Sequence, residues 1–188
     1  MQDKTKPMIT PLGKRLILRP NASEVRGFIF IPHQLRDNPT SCKVIARGKD
    51  VNPLIKDDDV VFCKVGLGNR NAGHFERSRD FWANEDDVYA VLRYGTIFPF
   101  GQKVLIRRDM ADEYHGSIVI PENRRYQSLT GTIERIAVSR KPLRVAGLSV
   151  GLKIRLHEWN ESMVEVELED GGYGLIVNDT DLLYAIDN

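Results

Sequence analysis

Pro11-Leu12-Gly13-Lys14-Arg15-Leu16-Ile17-Leu18-Arg19 returns later in the chain as Pro99-Phe100-Gly101-Gln102-Lys103-Val104-Leu105-Ile106-Arg107, at an offset of 88 residues. Gly27-Phe28-Ile29-Phe30-Ile31-Pro32 returns as Gly116-Ser117-Ile118-Val119-Ile120-Pro121, at an offset of 89. Asp87-Val88-Tyr89-Ala90-Val91 is echoed by Leu182-Leu183-Tyr184-Ala185-Ile186, at an offset of 95. Three blocks in one order, with slowly growing offsets, describe a unit written twice with small insertions in its turns. The seam falls near Arg93-Tyr94-Gly95-Thr96. That is short for a linker, so domains 1–93 and 94–188 are expected to be packed neighbours rather than beads on a string.

Within each unit the apolar spacing is that of strands. Leu16 and Leu18, like Val104 and Ile106, alternate with other residues as half-buried strands do. Val60-Val61-Phe62, Val88 to Leu92, Lys153 to Leu156 and Met163 to Leu168 read as further short strands. Pro20-Asn21, Gly48-Lys49-Asp50, Gly66-Leu67-Gly68-Asn69 and Asp170-Gly171-Gly172 supply turns between them. No segment holds a 3.6-residue apolar stripe over a dozen residues. The fold class is therefore all-β, with a small Greek-key barrel expected in each half.

Composition bounds the function. With 41% hydrophobic and 28% charged residues among 188, the chain can bury a core and is not a disordered polyelectrolyte. Lys and Arg number 27 against 26 Asp and Glu, so a net charge of +1 offers no field to steer nucleic acid or an anionic membrane. Apolar runs are too short to cross a bilayer, and the first residues lack the apolar segment of a secretion signal. Two cysteines, Cys42 and Cys63, make neither a disulfide scaffold nor a zinc site. A cytoplasmic protein with reduced thiols is expected.

Enzyme and cofactor readings find little support. His33, His74, His115 and His157 belong to no metal-ligand grouping. Gly66 to Gly73 is glycine-rich, yet it lacks the Gly-Lys-Ser/Thr ending of a phosphate loop, and Asn71 replaces the third glycine of a dinucleotide fingerprint. Asp57-Asp58-Asp59 reads as a solvated turn. The basic pairs Arg107-Arg108, Arg124-Arg125 and Arg140-Lys141 are scattered among acids without stacking aromatics, which counts against a nucleic-acid-binding barrel. The expectation is a non-catalytic protein with no metal and no bound cofactor.

The odd segments surround Gly27 and Gly116. Each carries an apolar triplet, Ile29-Phe30-Ile31 or Ile118-Val119-Ile120, closed by proline and flanked by polar stretches. One reading makes each triplet a core strand. The other makes it the sticky tip of a long loop, since polar loops of about twenty residues in compact domains are usually functional.

This order resembles the GroES co-chaperonin family, present twice: a Pro-x-Gly strand entry, a polar loop with Gly-x-Ile-apolar-Ile-Pro, a return strand and a terminal apolar-Tyr-Ala-apolar strand. The second half matches best, through Gly116 to Pro121, Gly131-Thr132-Ile133 and Ile176-Val177-Asn178-Asp179-Thr180-Asp181-Leu182-Leu183-Tyr184-Ala185-Ile186. The first half diverges more, with Cys42 where the second has Gly131. The resemblance implies two tandem GroES-like barrels with long loops, acting as a lid on a GroEL-type chaperonin that assists folding. It places the docking residues at Gly27, Ile29, Phe30 and Ile31, and at Gly116, Ile118, Val119 and Ile120. It implies a homo-oligomeric ring, with ATP bound by the partner and not by this chain. It also places Asp87 to Leu92 beside a strand from Ile97 to Arg107, and leaves Met8 to Leu18 and Asp181 to Ile186 as unpaired edges for neighbouring copies.

Two departures shape the expectation further. The interval in which bacterial members carry a roof hairpin is contracted to Lys49–Ile55 and Arg140–Ala146. That resembles phage-encoded co-chaperonins, whose unfolded clients include capsid protein. The tandem arrangement also cannot divide a seven-fold ring evenly. The rival reading is a capsid-associated structural or decoration protein that kept the fold and lost the lid function.

Overall fold

In the computed structural model of the chain, the described residues are 10–21, 25–26, 29–30, 41–64, 67, 80–110, 114–115, 118–119, 129–137, 143–157 and 163–186. The chain divides into two compact units, Met1–Val88 and Tyr89–Asn188. The strands of the first half are β1 (Arg15–Pro20), β2 (Val25–Arg26), β3 (Ile29–Phe30), β4 (Ser41–Arg47), β5 (Val60–Cys63), β6 (Phe81–Asn84) and β7 (Val88–Arg93). There follow β8 (Thr96–Pro99), β9 (Lys103–Arg108), β10 (Tyr114–His115), β11 (Ile118–Val119), β12 (Thr130–Ile136), β13 (Lys153–Leu156), β14 (Val164–Glu167), β15 (Tyr173–Asn178) and β16 (Leu182–Ala185). The all-β expectation holds.

Twelve of these strands form two six-stranded sheets, ordered β6-β1-β4-β5-β7-β8 and β14-β15-β9-β12-β13-β16. The run β6-β1-β4-β5-β7 has the same order as β15-β9-β12-β13-β16. Each sheet ends in two different strands, so closure into a barrel is not part of the pairing among the described residues. The correspondence extends to register. Opposite β1, Ile17 faces Ala46 and Leu18 faces Val44, leaving Ile45 as an extra residue. Opposite β9, Leu105 faces Arg135 and Ile106 faces Ile133, leaving Glu134 as the extra residue. A bulge at one equivalent position in both sheets bends the strand and raises its twist there.

The turns correspond too. Asp58 has φ 67° where the second half has Gly151 at φ 89°. Asp58 N–H donates to the Val44 carbonyl at 2.9 Å, and Gly151 N–H to the Ile133 carbonyl at 2.8 Å. Left-handed φ suits glycine and is tolerated by aspartate, which explains an acidic residue in that turn of the first half. Short 3-10 turns, Glu85–Asp87 and Asp179–Asp181, precede β7 and β16. In each, the third residue's carboxylate accepts a backbone N–H at 3.0 Å, Asp87 from Asn84 and Asp181 from Asn178. The first residue of each turn reaches the contracted interval. Glu85 accepts the N–H of Asn52 at 2.6 Å, and the buried Asp179 accepts those of Arg144 and Val145.

Three expectations need correction. A single strand from Ile97 to Arg107 is in fact β8 and β9, interrupted at Phe100–Gln102. Pro99 offers no N–H to a ladder, and Gly101 turns the chain at φ 67°. Strand β1 is not half-buried, because Leu16, Ile17 and Leu18 are all buried, as are Val104, Leu105 and Ile106. Nor do the β1 residues of the expected edge Met8–Leu18 lie open, because Arg15 to Leu18 pair with β6 on one side and Leu16 to Leu18 with β4 on the other.

In the second half, Val104, Ile106, Ile133, Ile154, Leu156, Met163, Leu175 and Val177 form one apolar cluster. Burying each such side chain stabilises by about 1.5–3 kcal/mol. By register, Cys42 takes the place of Gly131, and Cys63 that of Leu156. Both cysteines are free and buried. A hydrogen bond with Cys42, then burial, push the Cys63 thiol well above its ordinary pKa, so Cys63 packs as a neutral thiol. A side chain at Gly131 has no such room, since its Cβ would lie 2.4 Å from the Arg107 carbonyl oxygen and 2.6 Å from Ile106 Cγ2. Gly131→Ala is therefore expected to cost about 1–3 kcal/mol. Thermal melting checks this, and an unchanged midpoint would contradict the close approach.

Candidate docking site

The two segments singled out by sequence form small antiparallel ribbons at matching places. In the first half β2 pairs with β3, with Val25 opposite Phe30 and Arg26 opposite Ile29. In the second, β10 pairs with β11, with Tyr114 opposite Val119 and His115 opposite Ile118. Both ribbons are separate two-stranded sheets, joined to neither six-stranded sheet. Ile29, Phe30, Ile118 and Val119 thus sit on ribbon strands. Gly27, Ile31, Gly116 and Ile120 lie outside the described residues.

Where each long loop leaves and rejoins its sheet, a hydrogen-bonded base holds the ends together. Asn21 N–H donates to the Ser41 carbonyl at 3.0 Å, and its Nδ2 donates to Ser41 Oγ at 3.3 Å. Asp109 N–H donates to the Thr130 carbonyl at 3.1 Å, and Thr130 Oγ1 donates to Asp109 Oδ2 at 2.8 Å. Lys153, from β13, places Nζ 3.3 Å from the same carboxylate oxygen. Sequence reading missed these residues, although the signal was present. Asn21 and Asp109 stand 88 apart, and Ser41 and Thr130 stand 89 apart, matching the offsets of the flanking repeats.

Residues 96–186 match the family described as the chaperonin 10 kDa subunit, Cpn10. The chain is also 40% identical over 60 residues to the co-chaperonin GroES of Kosmotoga olearia, an alignment covering 30% of this chain and 67% of that protein. The chain belongs to the Cpn10 co-chaperonin family. The matched span opens at Thr96, the first residue of β8, and encloses the ribbon β10–β11 and both acceptors at the base of the second loop. Among the described residues there is no group of three or more side chains suited to a metal ion, and no helix is long and apolar enough to cross a membrane.

Ion pairs brace the strands that carry the co-chaperonin loops. Arg19 grips Asp80 through two bonds, at 2.8 and 3.0 Å, and the hydrogen bond to Asp80 raises the guanidinium pKa further. Arg107, at the equivalent place in β9, bonds Asp170 at 2.7 Å and Glu134, the bulge residue, at 3.2 Å. Burial pulls Arg107 down, but its two acidic partners outweigh that and leave it raised. The Arg108 side chain is almost fully buried and bonds Glu165 at 2.9 Å. There burial prevails over the attraction of Glu165, and the pKa falls.

The Asp170 carboxyl is held below the ordinary value of 3.8, first by the Gly172 N–H and then by Arg107. A depressed carboxyl pKa stabilises the fold above the unfolded value, and that contribution disappears as pH falls through the folded value. Asp170→Asn is therefore expected to melt slightly below the unsubstituted protein at neutral pH. The gap should hold down to about pH 5 and close below the ordinary carboxylate pKa. Melting series from pH 7 to pH 3 check this, and a gap that widens in acid would contradict it.

Proposed function

We propose that this protein caps a GroEL-type chaperonin, docking through the tips of its two loops while the partner's ATP hydrolysis drives the cycle. The observation that carries the reading is the pair of ribbons outside both sheets, at matching positions, in a chain whose second half matches the Cpn10 family. The docking residues are Gly27, Ile29, Phe30 and Ile31 in the first loop, and Gly116, Ile118, Val119 and Ile120 in the second. Three such apolar side chains contribute about 1.5–3 kcal/mol each when buried. Ordering the surrounding backbone costs about 1–2 kcal/mol per residue. One loop therefore binds weakly, and a ring of loops binds together through effective concentration. Weak single contacts also permit release, as a cycling lid requires.

The two halves, 1–93 and 94–188, are two copies of one GroES-like domain. Strand order, bulge position and turn geometry support this, as does the family match that begins at β8. The β7–β8 hairpin then marks the seam, with Arg93 opposite Thr96 and Tyr94 and Gly95 both at positive φ.

The same comparison supports a reading of assembly. Strand β7 is covered by β8, and its residues from Val88 to Val91 are buried. Strand β16 ends its sheet, with Leu183 46% and Tyr184 53% exposed. Such an edge invites a partner strand. The segment preceding β1, which corresponds to β8 at the repeat offset, is the complement offered by the next copy. Head-to-tail pairing of this kind closes into a homo-oligomeric ring. The contracted intervals, pinned by Glu85 and Asp179, favour a cage open at its top. That suits a large unfolded client such as a capsid protein, in the cytoplasm of a phage-infected host.

Two experiments test the reading. Ile118→Ser with Val119→Ser should abolish most binding to a GroEL-type chaperonin in the presence of ADP, with melting unchanged; a collapse in melting would assign the triplet to the core. Native mass spectrometry at micromolar concentration should show a closed ring of several copies. A strict monomer that ignores added chaperonin would replace the lid by the capsid-associated reading.

A further inference from the structure

The bases of the two loops are built at the same three positions with different chemistry. Asn21 corresponds to Asp109, Ser41 to Thr130 and, by strand register, Val60 to Lys153. In the second half one carboxylate oxygen accepts from a hydroxyl at 2.8 Å and faces an ammonium at 3.3 Å. The ammonium comes from β13, so that base ties together three consecutive strands of the sheet, β9, β12 and β13. In the first half the side-chain bond is a neutral amide–hydroxyl contact of 3.3 Å in an exposed place, and Val60 supplies no cation. Hydrogen bonds to a charged group are shorter and stronger than neutral ones. Fixing the ends of a loop before it binds reduces the ordering that binding must then supply.

We propose that Asp109, Thr130 and Lys153 are positioning residues that hold the second loop in its docking direction, and that the neutral Asn21–Ser41 base makes the first loop the weaker docking site. The inference rests on the docking reading given above. It assigns the halves of one chain unequal roles: the second loop engages first, and the first loop adds its contact once the ring is seated. None of the three positioning residues touches the partner. Their effect appears in how often the loop meets the partner correctly aimed, so it falls chiefly on the association rate.

The test measures binding of the full chain to an immobilised GroEL-type chaperonin with ADP, using Ile118→Ser/Val119→Ser as the reference for a lost tip. Asp109→Ala should weaken binding about three- to tenfold, mostly through slower association, as loss of a partly exposed charged hydrogen bond would. Asp109→Asn keeps an oxygen for Thr130 and loses the attraction to Lys153. It should recover part of the loss, and raising the salt should narrow its difference from the unsubstituted protein. Asn21→Asp with Ser41→Thr and Val60→Lys, placed in the tip-deleted background, should restore binding through the first loop. If the tip variant loses binding while both Asp109 variants bind normally, the positioning role is wrong and the docking reading survives. If the tip variant binds as well as the unsubstituted protein, the docking reading itself fails.

Discussion

In the strand pair β1–β4, Ile45 has no residue opposite it, and in β9–β12 the same is true of Glu134. On the loop side of this bulge, Leu18 and Val44, or Ile106 and Ile133, pair with their side chains buried. On the other side the strands bend away. The loop leaves and returns at the well-paired end, so its base lies three or four residues from the bulge. Each sheet is thus anchored by a central pair that buries its apolar residues and delivers a long polar loop from one end. The bulge residue of the second half is also used electrostatically, since Glu134 bonds the same Arg107 that grips Asp170.

The two halves share this frame and differ in what fills it. Gly131 lies against the backbone of β9 and Leu156 is buried in the core, whereas the first half places two medium-sized thiols, Cys42 and Cys63, at these positions. A volume-conserving exchange of this kind in the core keeps the fold. The bases of the loops changed alongside, neutral in one half and charged in the other. Edges diverge as well: β7 is paired on both sides, while β16 pairs only with β13 among the described residues. Leu183 and Tyr184 are exposed on that strand, whereas Val88 to Val91 of β7 are buried.

Much of this is legible in the amino-acid sequence. Repeated blocks carry their own alignment, and the offsets of 88 and 89 read from sequence reappear in β1 and β9, in the ribbons, and in β4 and β12. The later offset grows to 94 at the 3-10 turns. A bulge between Leu182 and Tyr184 then adds one residue, bringing the terminal block to the 95 seen in the letters. The strand segments around Val60, Val88, Lys153 and Met163 were also legible, because period-two apolar spacing and turn residues are local signals. The split of the expected Ile97–Arg107 strand was within reach too, through Pro99 and Gly101.

What the amino-acid sequence determined by itself was the all-β class, the duplicated order of its blocks and the position of two polar segments that each carry an apolar triplet. Each of these depends on residues close together along the chain. Only the tertiary structure decided that β1 lies between two neighbours with both faces covered, that Arg19 meets Asp80, and that Lys153 joins Asp109 and Thr130 at the base of a loop. Those pairings bring together residues tens of positions apart, and their partners are chosen by strand register, in which a shift of one residue turns every side chain to the opposite face. The ribbons belong to the same class. Their apolar triplets are visible as letters, but their separation from the sheets is a matter of which backbone groups find one another.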